Sequence, residues 1–101
     1  MKKQNNRKDI LNILSNNQKQ LEQMGVASLS LFGSVARNEA SESSDIDLLV
    51  EFNRRVGLFH FIRVKQYLED ILGVNDVDLV MPDALIEELK ENILKEAILV
   101  A

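Results

Sequence analysis

The sequence predicts an α/β domain, one sheet covered by helices. Two observations carry that expectation. Stretches with apolar residues spaced three and four apart alternate with short stretches in which apolar and polar residues alternate singly. Glycine or proline stands at the joints, at Gly25, Gly33, Gly57, Gly73 and Pro82. The 101 residues are 46% hydrophobic and 28% charged, as expected of a single domain over residues 1–101 with a modest core.

Residues Asn6 to Met24 read as one helix, because Ile10, Leu14, Leu21 and Met24 share a stripe with Ile13 beside it, and Gly25 suits the C′ stop. Ala27 to Phe32 reads as a strand, with Ala27, Leu29 and Leu31 alternating with serines. A short helix is expected from Val35 to about Asn38, then a polar loop to Ser44 and a second strand from Asp45 to Phe52. Leu58 to Leu72 has helical spacing through Leu58, Phe61, Ile62, Val64, Leu68, Ile71 and Leu72, and Gly73 ends it. Asn75 to Val80 is a third strand. Pro82 then breaks the chain, and Asp83 is a suitable N-cap for a helix from Ala84 with an apolar face of Leu85, Ile86, Leu89, Ile93, Leu94 and Ala97. The apolar end, Ile98 to Ala101, finishes that helix, adds a strand or meets a partner.

The chemistry concentrates between Leu31 and Phe52, in LFGSVARNEASESSDIDLLVEF. In the second strand, Ile46, Leu48, Val50 and Phe52 fall on one face, and Asp45 and Asp47 fall on the other, roughly 6.5 Å apart. Two neighbouring carboxylates repel, and a hard divalent cation such as Mg²⁺ relieves the repulsion. A solvated pair at the start of a strand is the plainer reading. Gly33 permits a sharp turn and close approach of a ligand. Ser34 is expected as the N-cap of the short helix, where free N–H groups favour an anion. Arg37, one turn on, can grip phosphate oxygens. Ser44 is placed to cap the turn or touch phosphate. In the third strand Asp76 and Asp78 share a face, and either can join Asp45 and Asp47 across a neighbouring strand.

Gly33-Ser34, ten residues, then Asp45-Ile46-Asp47 resembles the motif of the DNA polymerase β-like nucleotidyltransferase superfamily. The run from Gly33 to Val50, with Ala36, Arg37, Ala40 and Ser44 in place, is similar to its minimal branch, the MNT (MntA-like antitoxin) family encoded beside HEPN-domain toxins. The resemblance implies a nucleotidyltransferase fold, a mixed three- to four-stranded sheet covered by helices. It implies two Mg²⁺ ions on Asp45, Asp47 and Asp78, the last in the V-D-L-V context of Val77 to Val80. Gly33, Ser34, Arg37 and Ser44 would hold the phosphates of ATP. The implied activity is protein adenylyltransfer: AMP passes to a hydroxyl, a tyrosine, of a cognate HEPN toxin. Two alternatives remain open, an antitoxin that neutralises by binding alone and nucleotidyl transfer to a small molecule.

The remaining features narrow the partners. Cysteine is absent, which removes disulfides and zinc–thiolate sites and suits a cytoplasmic location. The basic start, MKKQNNRKD, lacks an apolar stretch behind it, and no run suits a bilayer, so neither secretion nor a membrane is expected. A net charge of −4 argues against tightly held nucleic acid. An oligomer is compatible with the sequence. The Arg54-Arg55 pair can reach a nucleotide or an acidic partner, although solvation is the simpler role. The lone His60 reads as a surface or packing residue and a poor metal ligand, and the lone Tyr67 as a core-edge residue.

Overall fold

A computed structural model describes residues 7–37 and 46–100. The chain order is α1 (Arg7–Asn16), α2 (Gln18–Gln23), β1 (Val26–Phe32), α3 (Gly33–Ala36), β2 (Ile46–Phe52), α4 (Leu58–Leu72), β3 (Val77–Val80), a 3₁₀ turn (Pro82–Ala84), α5 (Glu87–Glu96) and β4 (Ile98–Leu99). The four strands form one mixed sheet in the order β3-β2-β1-β4. β1 runs antiparallel to β2 and β4, and β2 runs parallel to β3 with α4 as the crossover.

Strand alternation builds the core. Ile46, Leu48 and Val50 of β2 are buried, as are Leu29 and Leu31 of β1 and Val77 and Leu79 of β3. Leu48 pairs with Leu31 on one side and Leu79 on the other, so one apolar row crosses three strands. Ile10 and Leu14 of α1, Leu21 of α2 and Val64, Leu68 and Leu72 of α4 close over that face. The first turn of α4 stays outside the core: Leu58 is 70% exposed and Phe59 86%. Gly73 ends α4 in the left-handed region at φ 67°, where a side chain would be strained.

Away from the Gly33 turn, four sequence expectations need correction. The first helix is two, because the Asn17 side-chain amide donates to the Ile13 carbonyl (2.8 Å) and the Asn17 backbone N–H turns to Leu14. The Tyr67 hydroxyl donates to Asn17 Oδ1 (2.8 Å) and holds the break. In β1, Ala27 is exposed and Val26 buried, because a bulge between Val26 and Ser28 shifts the alternation. The third strand starts at Val77 rather than Asn75, since Asp76 is drawn to Lys65 of α4 (2.7 Å). The last helix starts at Glu87, because Pro82 to Ala84 form a 3₁₀ turn and Leu85 and Ile86 are extended. Of the three fates open to the apolar end, the chain takes the strand: Ile98 and Leu99 pair with Leu31 and Ser30.

Candidate active site

β1 ends at Phe32, paired with Asp47 of β2, and Asp47 is paired in turn with Asp78 of β3. Side chains at one register position of neighbouring strands share a face. Val77 and Leu79 point into the core, so Asp78 points the other way, to solvent, with Asp47 beside it and half-buried. Two carboxylates thus stand on adjacent strands, about 4.8 Å apart in backbone spacing. Gly33 closes the group. It turns the chain at φ 77°, and a Cβ there would overlap Asp47 Oδ2 and lie 3.0 Å from Asp47 Cγ. Only glycine permits both the turn and the approach.

The turn at Gly33 comes one residue before the predicted cap. The N-cap is Phe32, Gly33 begins α3, and Ser34 lies inside the helix rather than capping it. The reason is the positive φ of Gly33, which redirects the chain before Ser34 is reached. α3 is a single turn, closed by the Arg37 N–H on the Gly33 carbonyl (3.1 Å), and the Arg7 guanidinium of α1 steadies it by donating to the Ala36 carbonyl (3.0 Å). Arg37 follows as the C-cap, its side chain about half-exposed on the same side as Gly33. Asp45 and Ser44 lie outside the described residues.

The two acidic candidates of the third strand separate in space. Asp78 stands opposite Asp47. Asp76 instead joins Lys65, which also pairs with Glu69 one helical turn further along α4. Glu69 accepts the Val77 backbone N–H (3.0 Å), so the cluster clamps the start of β3. The Lys65 ammonium holds the Asp76 carboxyl below its ordinary range, and hydrogen bonds to Asp76 and then Glu69 push Lys65 up. This clamp holds the start of β3, one residue before Asp78.

Sequence reasoning missed Glu96, at the end of α5. Its Oε1 accepts the Gly33 backbone N–H (3.3 Å) and its Oε2 accepts Arg37 Nη1 (3.0 Å). A carboxylate in the last turn opposes the helix macrodipole, and that misplaced charge is the sequence signal that could have drawn attention to it. Arg54 and Arg55 are not brought to the carboxylates. They line a cavity of about 590 Å³ toward the other end of β2, with Glu51, Met81, Asp83 and Lys90. His60 donates from Nε2 to the Met24 carbonyl, and its ring meets Phe52 edge-on at 5.9 Å, which is a packing role.

The donors at the sheet end suit a hard cation. Asp47 and Asp78 offer oxygen only, which is what such a cation takes. Among the described residues no three metal-binding side chains cluster.

The family model for the nucleotidyltransferase domain matches residues 8–100. The protein adenylyltransferase MntA of Thermococcus cleftensis is 41% identical over 93 residues, which cover 91% of this chain and 93% of the relative. The chain belongs to the minimal nucleotidyltransferases. A solved structure described as a candidate minimal nucleotidyltransferase superposes with a TM-score of 0.81 at 38% identity, covering 92% of this chain and 94% of the other. The mixed sheet and its helical cover are therefore those of a minimal nucleotidyltransferase. A tri-AMPylated Shewanella oneidensis HEPN toxin has been solved in complex with MNT antitoxin, and that structure shares the fold at a TM-score of 0.64 and 20% identity, covering 90% of this chain and 71% of the other. No described helix of this minimal nucleotidyltransferase is long and apolar enough to cross a membrane.

Proposed function

We propose that this minimal nucleotidyltransferase transfers AMP from ATP to a tyrosine hydroxyl of a HEPN toxin in the cytoplasm, and so acts as the toxin's antitoxin. The observation that carries the reading is the convergence of Gly33, Asp47 and Asp78 at one end of the sheet. The name of the Thermococcus cleftensis relative supports adenylyl transfer to protein, and the Shewanella oneidensis complex supports a HEPN partner.

In this reaction the tyrosine oxygen bonds to the α-phosphorus, the bond from that phosphorus to the bridging oxygen breaks, pyrophosphate leaves with the bonding electron pair and the hydroxyl proton passes to solvent. Asp45, Asp47 and Asp78 are the residues that would hold Mg²⁺. When bound, Mg²⁺ neutralises phosphate charge and lowers the pKa of the attacking hydroxyl. The Gly33 N–H and the Arg37 guanidinium hold phosphate oxygens, and Ser34 and Ser44 are the further phosphate ligands that the family motif implies. The missing side chain at Gly33 lets the phosphates come against Asp47. Such chemistry rests on positioning and charge neutralisation, so it needs neither histidine nor cysteine.

The test uses ATP labelled at the α-phosphate, Mg²⁺, this chain and the product of the adjacent reading frame, with Asp47→Asn as control. Label on a tyrosine of the partner with wild type alone is the expected result. A partner silenced in a stable complex without label would replace this reading with an antitoxin that acts by binding alone.

A further inference from the structure

Glu96 fits neither the core nor the transfer chemistry, yet it occupies the centre of the site. Its position follows from the sheet. β4 pairs with β1 so that Leu99 faces Ser30 and Ile98 faces Leu31. The Val100 N–H adds a bond to the Leu29 carbonyl (2.8 Å). Continued by two residues each way, that register sets Glu96 opposite Gly33. The helix ends at Glu96 and Ala97 is already extended, so the carboxylate is held at the junction of α5 and β4, with one oxygen on the Gly33 N–H and the other on Arg37. These are two of the donors assigned above to phosphate. One carboxylate with an oxygen on each donor copies the contacts a phosphate would make there.

We infer that Glu96 is an internal anion that closes the phosphate site of the nucleotide-free chain and that the triphosphate displaces it on binding. The inference rests on the reading of Gly33 and Arg37 as phosphate ligands. The contact is built to be displaced. Arg37 and Glu96 keep 47% and 30% of their side-chain surface exposed, so the pair is weak and solvent-screened. A triphosphate brings several negative charges against the one on Glu96. Nucleotide affinity is thereby set below what the same donors would give without Glu96. Because α5 buries no residue, the helix can swing with little loss of packing once Glu96 is released.

The experiment measures ATP and inorganic tripolyphosphate binding to the full chain by calorimetry, with Mg²⁺, for wild type, Glu96→Gln and Arg37→Gln. Circular dichroism confirms that each variant is folded. The amide of Glu96→Gln keeps the size of the side chain and removes its charge. Both ligands are expected to bind Glu96→Gln about two- to fivefold more tightly than wild type. The gain should shrink as salt is raised. Arg37→Gln is expected to bind both more weakly. Unchanged or weaker binding to Glu96→Gln, with Arg37→Gln still impaired, would overturn the inference while leaving the phosphate site intact. Weaker binding in that case would make Glu96 a positioning residue for Arg37. Arg37→Gln binding as well as wild type would overturn the phosphate site itself, and this inference with it.

Discussion

The two faces of the sheet are built to different standards. On one face Leu29, Leu31, Leu48, Val50 and Val77 have no exposed surface and lie under α1, α2 and α4. On the other, Asp47 is half-buried, Asp78 and Glu51 are exposed, and the covering helix α5 buries nothing. Leu49 is the buried exception on that side. The difference teaches how a chain of this size carries a site. One face supplies the rigidity, and the other is left lightly covered so that charged ligands can reach the carboxylates without unfolding anything.

Adjacent residues of β2 offer the sharpest way to break that comparison, because they differ only in the face they point to. Asp47→Asn should lower label transfer by roughly 10²–10³-fold while the unfolding midpoint in denaturant barely moves. Leu48→Ala should do the opposite in kind. It should destabilise the fold by about 2–5 kcal/mol, because Leu48 is fully buried between Leu31 and Leu79 and the cavity cannot be filled. If Asp47→Asn unfolds the chain, or Leu48→Ala leaves the midpoint in place, the division of labour between the faces is wrong.

Smaller effects sharpen it. The Lys65 clamp connects the two faces, since it ties α4 on the core side to the strand that carries Asp78. Lys65→Gln should cost no more than about 1 kcal/mol, because the cluster is partly solvated. Its pH dependence has a definite sign. Asp76 is held below its ordinary value, so its contribution is present above about pH 4 and is lost as pH falls through its lowered pKa. Lys65 is raised, so its contribution is complete below about pH 10 and is lost as pH rises through the raised value. The denaturant midpoints of wild type and Lys65→Gln should therefore differ at pH 7 and converge as pH falls through the lowered pKa of Asp76. At the bottom of the scale, Leu89→Ala on exposed α5 should stay within about 0.5 kcal/mol of wild type in the same assay.

Much of this arrangement is legible in the chain. The period of two in Ile46 to Phe52 assigns Ile46, Leu48 and Val50 to the core, and all three are buried. The helix from Leu58 to Leu72 has the expected ends, because spacing and Gly73 agree. Two of the errors fall where a side chain from another element intervenes. Asn17 breaks a helix that spacing alone would continue, with Tyr67 as its partner 50 residues away. Lys65 draws Asp76 out of the strand that alternation would have given it. Leu58 and Ile62 have helical spacing and are nevertheless exposed, since α4 begins beyond the edge of the core.

By itself the sequence determined the kind of β1, β2, β3 and α4, the turn at Gly33 and the placing of Asp47 on the face away from the core. Those are local properties, set by side-chain periodicity and by the φ a residue can adopt. Only the tertiary structure decided that Asp78 rather than Asp76 faces Asp47, that the apolar end becomes an edge strand, and that this strand carries Glu96 to Gly33. Each of these is a matter of register between distant segments. Register is chosen by the summed hydrogen bonding and burial of whole strands, and no single stretch of the chain contains that sum.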